Sequence, residues 1–170
     1  MKPPYLVILA SSVLLLAGCG KSSDQTAASS SSASAAAPAT APNGPQTFEL
    51  TGNDTMKYNL TRLEVAAGQE VTLTLKNVGT MPKASMAHNW TLLKAGSDAT
   101  AFANAAVTHK ADDYFPTELA DEVIARTKLL GPRESDTITF KAPAAPGEYT
   151  YLCTFPGHFI SGMHGVLVVH

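Results

Sequence analysis

Cys153-Thr154-Phe155-Pro156-Gly157-His158-Phe159-Ile160-Ser161-Gly162-Met163 is the stretch that decides how the chain folds. It sets a thiol, an imidazole and a thioether at intervals of five residues. Strand-like runs lead in over residues 148–152 and out over residues 165–169. Pro156, Gly157 and Gly162 are turn formers, so the three side chains can converge across a loop instead of lying along an axis. Singly, a Cys is an ordinary small buried hydrophobe and a nearby Met is ordinary core filling. Packing gives no reason to place Cys, His and Met together on one hairpin loop. Soft sulfur with imidazole suits copper that alternates between Cu(I) and Cu(II), most simply as two His and one Cys with a distant axial Met. A second imidazole must then come from elsewhere, and Met86-Ala87-His88-Asn89-Trp90 offers His88.

The run from Cys153 to His158 and the triplet His88-Asn89-Trp90 resemble the copper-binding segments of azurins. Ala125-Arg126-Thr127-Lys128-Leu129-Leu130-Gly131 resembles the segment before an azurin's later strands, and the similarity spans residues 47–169. Two departures stand out. Residues 159–162 separate the loop His from the Met, four where azurins have three, as in auracyanins and plastocyanins. Ala87 precedes His88 where azurins have Gly. The pattern is that of the azurin-like auracyanin group.

The resemblance implies an all-β, two-sheet Greek-key sandwich of cupredoxin type, with a short helical flap inserted. It implies one type 1 copper on His88, Cys153 and His158, with Met163 as a weak axial ligand and the Ala87 carbonyl on the opposite side. Asn89 would brace the backbone of the Cys loop. Met86, Phe155, Pro156, Phe159 and Ile160, with Met56 and Met81 nearby, would form an apolar rim around the edge of His158. An electron carrier docking to redox proteins through that rim is the expected function, not an enzyme. Azurins usually carry a disulfide near the N-terminus. With only Cys19 and Cys153 in this chain, the sandwich must hold by packing.

The rest of the chain says where such a domain works. At 170 residues there is room for one ordinary domain plus extra segments. Twelve Lys and Arg against 14 Asp and Glu give a net charge of −2 and no basic cluster, so nothing points to nucleic acid. Residues 1–18 read as a targeting segment: Lys2, then an apolar run over 5–16 that is shorter than the ~20 residues of a membrane span. Leu16-Ala17-Gly18-Cys19 matches the lipobox of bacterial lipoproteins, which implies cleavage before Cys19 and acylation of that residue. A plain signal peptide and an uncleaved anchor are the alternatives. Two acyl chains suffice for stable anchoring, and export places the domain on the extracytoplasmic face of a bacterial membrane. Residues 19–46, almost all Ser, Ala, Thr, Gly and Pro, read as a flexible tether about 25–30 Å long on average. The copper domain is then residues 47–170.

Within it, Val71, Leu73 and Leu75 alternate with Thr72, Thr74 and Lys76, the period of a half-buried strand. Ile138 and Phe140 alternate likewise, and Tyr149, Tyr151 and Cys153 share one face. A strand is expected over 89–93 and a loop over 77–82. Residues 97–108, with Ser97 or Asp98 as cap, should form a short helix, and 111–125 holds a second helical candidate. His109 and His170 are expected at the surface. His164, adjacent to Met163 on an extended strand, should point away from the metal. Two other functions fit parts of the pattern. A thiol enzyme with Cys153 as nucleophile leaves Met163 unexplained, and a copper-storage or delivery lipoprotein would need an exchangeable metal.

Overall fold

The computed structural model describes residues 44–170. The targeting segment, Cys19 and most of the tether lie outside them. In chain order the described elements are β1 (Gln46–Gly52), β2 (Arg62–Val65), β3 (Glu70–Asn77), α1 (Lys83–Met86), β4 (Thr91–Leu93), α2 (Ala99–Ala106), β5 (Val123–Arg126), β6 (Ser135–Lys141), β7 (Gly147–Leu152) and β8 (His164–Val169). They make two sheets, ordered β1-β3-β6 and β2-β8-β7-β4-β5. β1 runs parallel to β3 and β2 parallel to β8, while the remaining pairs are antiparallel. This is the expected all-β sandwich of cupredoxin type.

The alternation read in the sequence is what builds the layers. Val71, Leu73 and Leu75 are wholly buried, while Thr72 and Thr74 face out opposite Thr139 and Thr137, hydroxyl to hydroxyl at 3.4 and 2.8 Å. From the facing sheet come Leu63, Val65, Leu92, Tyr151, Leu167 and Val169, all at or near zero exposure. Each such side chain contributes roughly 1.5–3 kcal/mol on leaving water. Trp90 anchors the middle, with Tyr151 at 5.5 Å and Phe140 at 5.7 Å between ring centres. Cys153 is free, so among the described residues no disulfide assists the packing.

The flap departs from expectation in its second half. α2 forms as read, capped by Asp98, whose carboxylate accepts from Thr100 N at 2.9 Å and Ala101 N at 3.0 Å. It buries Phe102 against Leu93 and Leu152. Residues 111–125 do not continue as a helix. Two 3-10 turns, Lys110–Asp112 and Thr117–Glu122, give way to β5. Asp113 and Tyr114 both take left-handed φ values (54° and 58°), and Pro116 withholds an N–H, so no helix can run through. Val123 and Ala125 instead pair with Leu93 and Leu92 of β4. His109 is not a free surface residue: its ring sits between Glu118 at 3.0 Å and Asp112 at 3.6 Å and ties the two turns together. The expected loop is present over residues 78–82, and α1 makes one turn just past it.

This architecture puts the ligand loop at one end of the five-stranded sheet. β7 delivers Cys153 and β8 carries the chain away from Met163. His88 precedes β4, the neighbour of β7.

Candidate metal centre

The loop is closed by its own backbone. Cys153 N donates to Met163 O at 3.0 Å, Met163 N to His158 O at 2.9 Å, and His158 N to Phe155 O at 3.1 Å. Two sharp reversals make this possible, at Gly157 (φ 82°) and Gly162 (φ 91°), in the region where a Cβ is penalised. His88 is held from a different part of the chain. Its N–H donates to Leu130 O at 3.0 Å and its carbonyl accepts from Leu130 N at 2.8 Å. Asn77, buried, donates from Nδ2 to that same Leu130 carbonyl at 3.1 Å. Asn89 spans to the loop twice: Nδ2 donates to Thr154 Oγ1 at 2.7 Å, and Oδ1 accepts from Thr154 N at 2.8 Å. The Tyr58 hydroxyl donates to the Asn89 carbonyl.

These supports bring three donors together. His88 Nδ1 lies 3.2 Å from His158 Nδ1, and Cys153 Sγ lies 3.5 Å from His158 Nδ1. All three donor atoms fall within 4.8 Å of one another. Metal–nitrogen bonds of about 2.0–2.1 Å and metal–sulfur bonds of about 2.3 Å, at near-tetrahedral angles, separate donors by about 3.1–3.6 Å. Two of the three separations fall in that range and the third pair lies within 4.8 Å, so the three residues can close on a single ion. Met163 is fully buried, and both its terminal methyl and the His88 ring lie against the Gly52 backbone.

The electrostatics are those of neutral donors kept from water. Burial pushes the Cys153 thiol up to about 12, against a smaller opposing pull from the backbone at Asn89 and Phe155. Burial, and then the neighbouring His88, takes His158 down to about 4. Burial also lowers His88, with the Asn53 backbone and the Asp54 carboxylate acting the other way. At neutral pH the metal-free site thus holds one S–H and two uncharged imidazoles. Binding a divalent ion must displace the thiol proton and little else. Uptake of Cu(II) is expected to release close to one proton per chain at neutral pH and above, rising at lower pH as the two imidazoles begin to protonate in the free protein. A pH-stat titration measures this, and release near zero or near two at pH 7 contradicts the donor set.

The residues expected around His158 are placed unevenly. Ile160 is 80 % exposed, and Met86, Pro156 and Phe159 are half-buried. Phe155 is not part of an exposed rim: it is buried, with Tyr114 edge-on at 5.0 Å and His158 at 4.8 Å between ring centres. His158 itself is 2 % exposed, so its edge lies just under the surface and not at it. Met81 is exposed, while Met56 packs on the core. Ala87 is buried at the end of α1, and His164 faces out. Gly52, Tyr58, Asn77 and Tyr114 were not read as part of the site. Each touches it through a distant segment, and nothing local in the sequence marks them.

A family model described as copper binding proteins, plastocyanin/azurin family, matches residues 46–170. Auracyanin-A of Chloroflexus aurantiacus is 37 % identical over 168 residues, covering 97 % of this chain and 94 % of that protein. Auracyanin-B of the same organism is 37 % identical over 126 residues, covering 73 % of this chain but only 52 % of its own length. The solved structure of auracyanin A, titled a "blue" copper protein, superposes with a TM-score of 0.65 at 37 % identity, covering 75 % of this chain and all of that one. With the convergent His, Cys and His already in place, the chain belongs to the plastocyanin/azurin family of copper-binding proteins, as a blue copper cupredoxin built for one type 1 copper.

Proposed function

We propose that the protein carries single electrons between redox proteins on the extracytoplasmic face of a membrane. His88, Cys153 and His158 would be its equatorial copper ligands, Met163 a weak axial one, and the Ala87 carbonyl a weak donor opposite. Bound copper supplies a one-electron Cu(II)/Cu(I) couple. The chain's part is to hold its donors in one arrangement for both states, so that little must move when the charge changes. The observation that carries this reading is the convergence of three donors at 0–2 % exposure, Cys153 and His158 fixed by the backbone bonds of their own loop and His88 by its two bonds to Leu130. Such burial leaves no open face for a substrate, which favours a carrier over an enzyme. It also favours transfer over storage, because an exchangeable ion needs access. Titration with Cu(II) should produce an intense blue or green band that saturates at one equivalent and bleaches with a mild reductant. A colourless or non-stoichiometric complex overturns the proposal.

Electrons would pass through the His158 edge, under the patch of Met86, Pro156, Phe159 and Ile160, with Phe155 backing the ring from below. A fixed charge there must be desolvated on docking without a partner. Ile160→Asp is expected to slow electron self-exchange several-fold, by NMR line broadening at fixed ionic strength, and to leave the optical spectrum alone. Unchanged exchange would place the route elsewhere.

The anchor is proposed from Leu16-Ala17-Gly18-Cys19 alone. Cells fed a tagged fatty acid should label the wild-type chain and not Cys19→Ala, and label persisting in the variant rules out acylation at Cys19.

A further inference from the structure

We infer that Gly52 is a positioning residue for the metal centre, its missing side chain being what lets the Met163 thioether take the orientation it has. The inference rests on the ligand reading above. Gly52 ends β1 outside the left-handed region, so the backbone does not require a glycine there. Space does. A Cβ at this position would lie 2.8 Å from Met163 Cε and 3.0 Å from both Cγ and Cδ2 of His88. Carbon atoms pack at about 3.5–4.0 Å, so something must give by at least about half an ångström.

What gives is decided by how each neighbour is held. Gly52 cannot retreat: it is in register with Asn77 of β3, its carbonyl accepts from Val78 N at 2.9 Å, and it bridges to Tyr58. The His88 backbone is held through both bonds to Leu130, and its stiff ring is wholly buried with Nδ1 only 3.2 Å from His158 Nδ1. Met163 Cε is the free end of an unbranched side chain, and it can swing about the Cγ–Sδ bond without moving the loop. That rotation turns the sulfur lone pairs while the chain stays folded. The axial donor tunes the potential of sites of this type, and weakening it favours Cu(I). Gly52 therefore acts on the couple through Met163, from a strand that contributes no ligand.

The test uses the full chain loaded with copper, as wild type and as Gly52→Ala, each alone and combined with Met163→Ala. Redox titration should show Gly52→Ala shifting the Cu(II)/Cu(I) equilibrium at least tenfold toward Cu(I), or 59 mV for one electron, with the thiolate colour kept. In the Met163→Ala background the same change should shift it less than threefold. An unmoved potential in a folded, copper-bound Gly52→Ala overturns the inference, as does an equal shift with Met163 absent. NMR of the metal-free wild type decides the contact even if the variant fails to fold: cross-relaxation from Gly52 Hα to the Met163 methyl and His88 Hδ2 is expected, and its absence overturns the inference. Failure of the ligand reading shows differently, as a wild-type potential that Met163→Ala does not change.

Discussion

A Cys153→Ser protein is expected to fold into the same sandwich and to lose the blue charge-transfer colour outright. The side chain is wholly buried, and a hydroxyl nearly replaces a thiol in volume, so the core of Trp90, Tyr151 and Leu92 around it has little reason to change. The metal loses far more. A thiolate is the only anionic, polarisable donor of the three, and the intense visible band of such a site is electron transfer from that sulfur into copper. Serine would have to ionise at a pH no protein sees, leaving two imidazoles and a thioether. Absorbance per chain should drop to background at any Cu(II) concentration, with far-UV circular dichroism unchanged. Retained colour in Cys153→Ser would remove Cys153 from the site and the proposed function with it.

Much of this was legible because period-two alternation and turn residues are local signals. Val71 to Lys76 must show one face to a core, and the loop from Cys153 to Met163 must turn at Gly157 and Gly162. The converging donors are legible because two of the three, Cys153 and His158, share that loop, leaving only His88 to be found elsewhere. What was not legible is what depends on contacts between distant segments. Val123 and Ile124 fall in the helical candidate over 111–125 but form a strand, because the edge of β4 is there to pair with. The azurin resemblance places Phe155 on the surface rim, yet it is buried, with Tyr114 of the flap edge-on against it. His109 was read as inert surface, yet it is tied to a Glu nine residues on. Gly52 lies over a hundred residues from Met163 in sequence, so no window could show that a methyl group there has no room.

The flap shows how such long-range packing reaches the site. Its strained pair, Asp113 and Tyr114, ends with the Tyr114 ring edge-on to Phe155, whose other neighbour is the His158 imidazole. Left-handed φ at two successive non-glycine residues costs on the order of 1–3 kcal/mol each. The packing of Tyr114, the Arg126 guanidinium seated 4.0 Å over Phe115, the bond from Tyr114 N to His109 O at 2.8 Å and the His109 ring between Glu118 and Asp112 are among the contacts that offset it. The flap thus reaches the site through one chain of rings, Tyr114 to Phe155 to His158.

Asn89→Ala is expected to be the most damaging change that touches no ligand. Asn89 joins the segment of His88 to the segment of Cys153 with two short bonds, and both ends are buried. Alanine removes both bonds and leaves the Thr154 N–H and hydroxyl without those partners in the interior. Each buried group so orphaned costs about 1–3 kcal/mol, so the metal-free domain should lose about 2–6 kcal/mol. For a domain of this size that lowers the melting temperature by about 8–24 °C. Copper affinity should fall about 10–100-fold, because the loop must now be ordered at the expense of binding. The visible band should survive at saturating copper, since every donor remains. Asn89→Asp can keep both links with one reversed: its carboxylate accepts from Thr154 N and from the hydroxyl, but it cannot donate. Because that substitution also buries a charge, it should recover only part of the loss. Thermal unfolding of the metal-free variants, beside competition titrations for copper, measures both effects. If Asn89→Ala melted with wild type and bound copper equally well, the two segments would be held together by the sheet alone, and the Asn89 bonds would be incidental to the site.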